Sequence, residues 1–229
     1  METISIIIPV YNDSEALHKQ LQHLANIKDH PLVEEVLVVD ASDVKIHKES
    51  MPTWVVSINS NKASRAVQMN IGASQAKGDV LYFVHADSYP PLTFPTDIIN
   101  ALKAGHQVGG YRMWFVPGSL PLRVNSWATH FHTKFSGGGD QTLYIPRAVF
   151  EKEGGFNEEF SIMEDFELTY RLTPKYGYHI IPKYTQVSSR KYFNNSYLKV
   201  SMVNYKAFRM FEQGVSPDKI KEYYQNTLR

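Results

Sequence analysis

The sequence contains no cysteine. Disulfide bonds, thiolate nucleophiles and zinc sites built on cysteine are therefore excluded. A large excess of one charge is missing as well: the sequence has 24 Lys and Arg and 23 Asp and Glu, and the formal charge is +1. Proteins whose main partner is nucleic acid carry a basic excess that neutralises phosphates. We therefore expect no nucleic acid among the partners of this protein.

Long apolar runs are also absent. Near the N-terminus the longest apolar run covers residues 6–11, and no basic residue precedes it. A signal peptide needs a longer apolar region behind basic residues, and a membrane-spanning helix needs about 20 apolar residues. We therefore predict a soluble, cytoplasmic protein without a transmembrane segment. The sequence leaves open peripheral contact with a membrane and the oligomeric state.

Several familiar site motifs cannot be found. The chain has no G-x-x-x-x-G-K-[ST], no G-x-G-x-x-G after the first strand, no H-E-x-x-H and no G-x-S-x-G. Their absence argues against a P-loop ATPase and a Rossmann dehydrogenase. Another arrangement must hold the ligand.

The chain does contain an alternation of strands and helices. Four short apolar runs, at 4–8, 35–40, 54–58 and 80–84, are rich in β-branched and aromatic residues and are nearly continuous. Such runs are typical of strands buried on both faces. With helices between them, they predict a parallel, doubly wound sheet.

Two helices are predicted between these strands. Asn12 with Glu15 three residues later has the form of a capping pair at the start of the first. The second covers residues 63–79 and is closed by Gly78. The first helix carries leucines at helical spacing: Leu17, Leu21 and Leu24.

Beyond residue 90 the pattern is less regular. The predicted elements are a helix at 97–105 with a glycine stop, a strand at 107–116, a loop and helix at 117–136, a strand at 141–145, a short helix, a helix at 164–172, a helical tail from Asn195 and a last helix at about 217–227.

Polar residues follow each of the first four strands. They are Tyr11, Asn12 and Asp13, which come shortly after Pro9, then Asp40, then Asn59 and Ser60, and finally His85 and Asp87. Each could merely cap a helix or form a turn. Because ligands bind beyond the carboxyl ends of parallel strands, their convergence on one edge predicts a binding site there.

Five segments in this order resemble family 2 glycosyltransferases, in the small bacterial branch whose aspartate motif is His-Ala-Asp. They are "SIIIPVYND", "VLVVDAS", "SRAVQMNIGASQAKGDVLYFVHADS", "GGGDQTLYIPR" and "GGFNEEFSIMEDFELTYRL", with "SSRKYF" as a weaker sixth. The resemblance covers nearly the whole chain and is strong to about residue 172. It implies an α/β fold with a mostly parallel central sheet and flanking helices, the A-type glycosyltransferase fold.

The resemblance also implies the organisation and the reaction. We expect a single glycosyltransferase domain over 1–229, with a nucleotide-binding half at 1–90, an acceptor and catalytic half at 91–190 and a C-terminal helical extension at 191–229. The implied reaction is metal-dependent, inverting transfer of a sugar from a nucleotide-sugar, with a UDP-hexose ahead of GDP-mannose, to an unidentified acceptor. The implied cofactor is Mg²⁺ or Mn²⁺, which prefer oxygen ligands and leave room for phosphates.

The family's residue roles carry over position by position. Asp87 matches the aspartate that touches the metal. His85 stands where the family has another aspartate, so it is a candidate to bind the metal, to orient Asp87 or to contact the ribose. Arg65 matches a residue that contacts the diphosphate. The nucleobase and ribose contacts correspond to Pro9, Tyr11, Asp13 and Asp40.

Asp165 matches the family's general base, which takes the proton of the acceptor hydroxyl. An acid at a helix start can also serve only the helix dipole. Gly139, Asp140, Gln141 and Glu164 correspond to positions along the acceptor and donor sugar. Arg190 and Lys191 are candidates to close over the phosphates.

Two other functions fit part of the pattern. A nucleotidyltransferase would share the sheet and the cation but would not need Asp165. A catalytically degenerate nucleotide-binding module would explain His85 in place of the usual aspartate.

Overall fold

One eight-stranded sheet with helices on both faces organises the chain. The structure is a computed structural model that describes residues 2–47, 50–130 and 137–228. Its strands are β1 (Ile4–Val10), β2 (Val33–Asp40), β3 (Val55–Asn59), β4 (Val80–Phe83), β5 (Ser88–Tyr89), β6 (Gly109–Val116), β7 (Leu143–Pro146) and β8 (His179–Ser188). Its α-helices are α1 (Ser14–Leu24), α2 (Arg65–Gln75), α3 (Phe94–Lys103), α4 (Leu120–Ala128), α5 (Arg147–Lys152), α6 (Glu164–Tyr176), α7 (Tyr197–Glu212) and α8 (Pro217–Thr227).

The strand order is β3-β2-β1-β4-β7-β6-β8-β5. The first four strands are parallel, β7 runs antiparallel to both of its neighbours, and β6 and β8 are parallel to each other. The register pairs Val10 with Asp40 and Asp40 with Asn59. The carboxyl ends of β1, β2 and β3 therefore meet at one edge, as the sequence predicts.

The sheet is buried on both faces because each face meets its own helix layer. On one face, Ile6 and Ile8 pack in a core that contains Leu17 of α1 and Ile98 of α3. On the other face, the intervening Ile7 packs with residues of α2 and α6. This double burial explains why β1 is continuously apolar rather than alternating.

Two helix boundaries differ from the sequence prediction. The N-cap of α1 is Asp13, whose Oδ1 accepts from the Ala16 amide at 3.3 Å, and not Asn12. Asn12 has φ +50° and donates its side-chain amide to Asp43. Helix α2 ends at Gln75, and Gly78 is not its cap: a Cβ at Gly78 would lie 2.6 Å from the Ser5 backbone nitrogen, so Gly78 permits close approach to β1.

Strands β5 and β8 are missing from the sequence prediction. Strand β5 has only two residues, too few to show a pattern. Strand β8 contains Pro182, and its pairing with β6 shifts register between Tyr111 and Arg112 at this point. Proline is tolerated at such irregularities but masks the strand pattern in the sequence.

The other predicted elements are found close to their expected positions. The predicted loop and helix at 117–136 contains α4, and its last six residues lie outside the described part of the chain. Among the described residues, no helix combines the length and apolar character needed to cross a bilayer.

Candidate active site

A cavity of about 220 Å³ opens at the carboxyl ends of β1 and β4, beside the start of α2. Its lining residues are Pro9, Val10, Tyr11, Asp13, Arg65, Gln68, His85, Ala86, Asp87 and Arg190. Seven of these ten are site residues predicted from the sequence. The structure thus brings together side chains that lie up to 181 positions apart in the chain.

The side of this cavity formed by the end of β1 has an exposed aromatic ring. About half of Tyr11 is accessible, and its hydroxyl donates to Asp43 Oδ2 at 3.3 Å. The Asn12 side-chain amide donates to the same oxygen at 2.7 Å, and the Asn12 backbone amide donates to Ser42 Oγ at 2.8 Å. Asp43 is absent from the sequence-based site, although its place in "DASD" beside Asp40 is a signal for it.

Asp40 has a different place from the other predicted nucleotide contacts. It is fully buried and does not line the cavity. Its Oδ1 accepts from the Ser42 amide and its Oδ2 from the Ile46 amide, each at 2.8 Å. Burial opposes its ionisation, but these hydrogen bonds hold the pKa of Asp40 below the ordinary value. In this structure Asp40 organises the loop after β2.

Gln68 is a cavity residue that the sequence reasoning missed. Its buried side-chain amide donates to the Val10 carbonyl at 2.8 Å and to the Val39 carbonyl at 2.7 Å. These two bonds tie the ends of β1 and β2 to α2. A polar residue one turn after Arg65, on the buried face of a helix, is the signal that could have indicated it.

Arg190 joins two predicted site carboxylates. Its Nη2 contacts Asp13 Oδ2 and lies 3.4 Å from Asp87 Oδ2. Burial and, after it, the charge of Asp140 raise the pKa of Asp87. The Arg190 guanidinium therefore offsets part of the cost of burying the charged Asp87 carboxylate.

Lys191, the residue after Arg190, contacts a third site carboxylate, Asp140. Its Nζ lies 3.3 Å from Asp140 Oδ2, in the short turn Gly139–Gln141. The Asp140 charge raises the pKa of Lys191. Burial opposes ionisation of Asp140, but the charge of Lys191 and its hydrogen bond hold the pKa of Asp140 below its ordinary value. Arg190 and Lys191 together connect the segment after β8 to three site carboxylates.

Arg65, the predicted diphosphate contact, is paired with Glu164. Its Nε lies 2.6 Å from Glu164 Oε1, at the first residues of α2 and α6. The Glu164 side chain is almost completely buried, whereas that of Arg65 is 46% exposed. The guanidinium thus compensates a buried carboxylate and still faces the cavity.

The predicted base lies next to His85. Asp165 Oδ2 is 3.8 Å from His85 Nε2, and both side chains are largely buried. Burial and the neighbouring Glu164 raise the pKa of Asp165 to about 8. Burial and Arg65 lower the pKa of His85 to about 3, so its ring is neutral near pH 7. Two titratable groups with pKa values pushed far from ordinary mark this cluster as a candidate reaction centre.

Gly139 packs directly on this pair. A Cβ there would lie 1.9 Å from His85 Cε1 and 2.6 Å from Asp165 Oδ2. Real side chains do not approach so closely, so glycine is required for this packing. Gln141, two residues later, is buried, and its Oε1 accepts from the Gly137 amide at 2.8 Å, which fixes the turn.

Backbone strain is concentrated around the site. The non-glycine residues with positive φ in the described chain are Asn12, Thr142 and Met163. They directly adjoin Asp13, the Gly139–Gln141 turn and Glu164, respectively. Strained residues collect where the surrounding structure must hold a functional geometry.

A divalent cation would have few protein ligands here. Among the described residues, no group of three His, Asp or Glu side chains could hold a metal ion. Mg²⁺ and Mn²⁺ often use one or two carboxylates and complete their shell with water and substrate phosphates. Asp87, with its raised pKa and its cationic partner, fits this arrangement. His85 is directed toward Asp165 instead.

Comparison with known folds defines the class of the protein. The structure resembles S. aureus TarS residues 1–349 with a TM-score of 0.61 and 18% identity, covering 97% of this chain and 69% of that one. It also resembles GalNAc-T7, solved with UDP, GalNAc and Mn²⁺, with a TM-score of 0.63 and 15% identity over 82% of this chain and 43% of that one. At such identities the likeness shows the fold alone, the A-type glycosyltransferase fold expected from the sequence.

Sequence comparison then identifies the family. Residues 5–154 match the model of glycosyl transferase family 2. The chain belongs to this family, as its motifs predict.

One curated glycosyltransferase matches part of the chain in sequence. The undecaprenyl-phosphate 4-deoxy-4-formamido-L-arabinose transferase of Pseudomonas savastanoi pv. phaseolicola (strain 1448A / Race 6) is 27% identical over 131 residues. That match covers 48% of this chain and 39% of the relative. The chain thus spans well under half the length of this curated relative.

Proposed function

We propose that the protein transfers a sugar from a nucleotide-sugar to an acceptor hydroxyl by single displacement with inversion. The observation that carries the proposal is the buried Asp165, whose pKa is raised to about 8, next to a cavity lined by the predicted donor-binding residues. A base with a pKa near the working pH combines readiness to accept a proton with sufficient ionised population.

In the proposed reaction the acceptor oxygen attacks the anomeric carbon while its proton passes to the Asp165 carboxylate. The bond from the anomeric carbon to the phosphate oxygen breaks, and the nucleoside diphosphate leaves with that electron pair. His85 stays neutral near pH 7, so it forms no ion pair with the Asp165 carboxylate that would lower its readiness to accept a proton. Glu164 keeps Arg65 at the cavity, where its guanidinium faces the leaving diphosphate.

Asp87 is the residue proposed to hold Mg²⁺ or Mn²⁺. The metal supplies positive charge against the developing diphosphate charge when it is bound. Arg190 occupies the side of Asp87 that faces Asp13 and is proposed to pass from these carboxylates to the phosphates.

We propose that the N-terminal half of the domain binds the donor and that the following part supplies the base for the acceptor. Residues 1–90 provide Tyr11, Asp13, Arg65 and Asp87 for the donor, and residues 91–190 provide Asp165 for the acceptor. A UDP-hexose is the proposed donor class, and the acceptor is left as a hydroxyl.

The donor and the metal can be tested by thermal unfolding. UDP with Mn²⁺ is expected to stabilise the protein more than either alone. At about 100 times the dissociation constant this gives about 2.7 kcal/mol, or a Tm shift of about 5–10 °C. Asp87→Asn should lose the Mn²⁺-dependent part and keep a small shift with uridine, whereas the control Asp29→Asn, an exposed site, should keep both. A full Mn²⁺-dependent shift in Asp87→Asn would show that the metal is held elsewhere.

A further inference from the structure

Charge is distributed very unevenly along this nearly neutral chain. Residues 98–139 and 168–211 contain twelve Lys and Arg and not one Asp or Glu. All 23 acidic residues therefore lie in the rest of the chain. The two acid-free segments contain β6, β8, α4 and all of α7 except its last residue, Glu212, and β6 and β8 are paired in the sheet. Six of these twelve cations form ion pairs with acids outside the two segments: Arg171, Lys175, Lys183, Arg190, Lys191 and Arg209. Among the described residues of α4 and α7, Arg123, Lys199 and Lys206 form no such pair, and these are the charges that could meet an anionic partner.

Helix α4 carries an outward apolar stripe in the first acid-free segment. Leu120, Val124 and Trp127 are exposed by 76%, 60% and 60%, respectively. Their spacing of four and three residues places them on one helix face. Leu122 and Ser126 are buried on the opposite face. The outer face is thus apolar beyond what folding of this helix requires.

Helix α7 repeats the arrangement in the second segment. Leu198, Met202 and Tyr205 are exposed by 70%, 65% and 57%, at the same spacing. The inner face of α7 is buried through Val200 and Val203. The basic residues of this helix, set beside or within the outer face, are Lys199, Lys206 and Arg209. Arg209 is paired with Glu212 at 3.1 Å, so Lys199 and Lys206 supply the positive charge that an acid of this helix does not balance.

Both helices are attached to the same small core next to the candidate active site. Phe115, Leu122 and Val187 form this core, and Tyr197 at the start of α7 packs against it. Val187 lies three positions before Arg190, which contacts Asp13 and Asp87. The inner sides of α4 and α7 are therefore anchored beside the segment that carries Arg190.

We propose that the outer faces of α4 and α7 dock the protein on an anionic lipid bilayer. Interfacial helices bind membranes by inserting apolar side chains while basic residues meet anionic headgroups. A second copy of the chain would oppose two surfaces of the same charge, which disfavours this occupant. Four of the six exposed side chains, Leu120, Val124, Leu198 and Met202, are not aromatic and suit acyl chains rather than a nucleic acid, which is bound by charge and by stacking on aromatic rings. The other two, Trp127 and Tyr205, are residue types enriched at the interface between membrane and water.

Vesicle co-sedimentation tests this docking without any turnover, so its result is independent of the proposed activity. The full chain is expected to sediment with phosphatidylcholine vesicles that contain about one third phosphatidylglycerol and to stay in solution with pure phosphatidylcholine. Raising the salt from about 50 mM to about 500 mM should weaken binding, because it shortens the range of charge attraction. Absence of binding to the anionic vesicles would overturn the proposal.

Variants locate the surface. Leu120→Glu with Val124→Glu, and separately Leu198→Glu with Met202→Glu, should each lower the partition coefficient by about tenfold or more. Val44→Glu is the matched control, because Val44 is 81% exposed outside the acid-free segments, and it should bind as the wild type does. Equal loss in the control would overturn the assignment to α4 and α7.

Two further results would also overturn the proposal in favour of another occupant. One is concentration-dependent dimerisation, measured by sedimentation velocity, that the α4 or α7 variants abolish while vesicle binding is absent. The other is a gel shift of single-stranded or duplex nucleic acid stronger than vesicle binding. Unchanged melting temperatures would confirm that the variants, all at exposed positions, remain folded.

Discussion

Replacing Arg65 by alanine tests the electrostatic framework of the site. The change leaves the Glu164 carboxylate buried without the cation that lies 2.6 Å from it. Among the described residues, no hydrogen bond of standard geometry reaches either oxygen of Glu164. Removing one partner of a fully buried ion pair costs about 3–5 kcal/mol. Because Arg65 is 46% exposed, solvent weakens the pair, and we expect about 2–3 kcal/mol.

For a domain of this size the expected loss corresponds to a fall in Tm of about 4–10 °C. Differential scanning fluorimetry at low salt measures it. Lys19→Ala is the matched control, since the Lys19–Glu15 pair has a similar distance but both partners are exposed, and its melting temperature should stay close to that of the wild type.

A second variant separates the charge effect from lost packing. Arg65→Ala combined with Glu164→Gln should recover much of the stability, because a neutral amide leaves no buried charge. The reasoning is refuted if Arg65→Ala loses no more stability than Lys19→Ala, or if the double variant is no more stable than Arg65→Ala.

Three further predictions concern ligands and catalysis. Arg65→Ala should weaken binding of a UDP-sugar more than binding of uridine in calorimetry, because its guanidinium faces the phosphates, and an equal effect would contradict this role. In the free enzyme kcat/KM should rise with pH, reach half of its limit near pH 8 and level off above about pH 9, since Asp165, with its pKa of about 8, must lose its proton to act as base. Gly139→Ala should reduce turnover by at least about tenfold, because its Cβ would displace His85, and unchanged turnover would contradict the packing.

The parallel half of the sheet was predictable because its signals are local. Buried strands such as β1 and β4 are short apolar runs, and the polar residues that follow them share one edge for purely topological reasons. The family motifs also placed Asp87 and Asp165 in the correct elements. Their chemical roles stay predictions.

The contacts that organise the site were not predictable, because they join distant parts of the chain. Arg190 meets Asp13 across 177 positions, and Arg65 meets Glu164 across 99. No local pattern encodes such pairs. The predicted Asn12 cap is wrong because Asn12 has a positive φ and donates its side-chain amide to Asp43. Asp13 caps α1 instead.

The most direct test of the proposed function compares donor binding and turnover in Asp165→Asn. Binding of UDP-hexose is measured by calorimetry, and release of UDP from labelled donor, with water or a supplied acceptor, is measured under saturating donor. We expect a dissociation constant within about twofold of the wild type and a turnover lower by about 10²–10⁴-fold, because the amide cannot take the acceptor proton. Turnover that stays at the wild-type level, or a loss fully explained by weaker donor binding, would contradict Asp165 as the catalytic base.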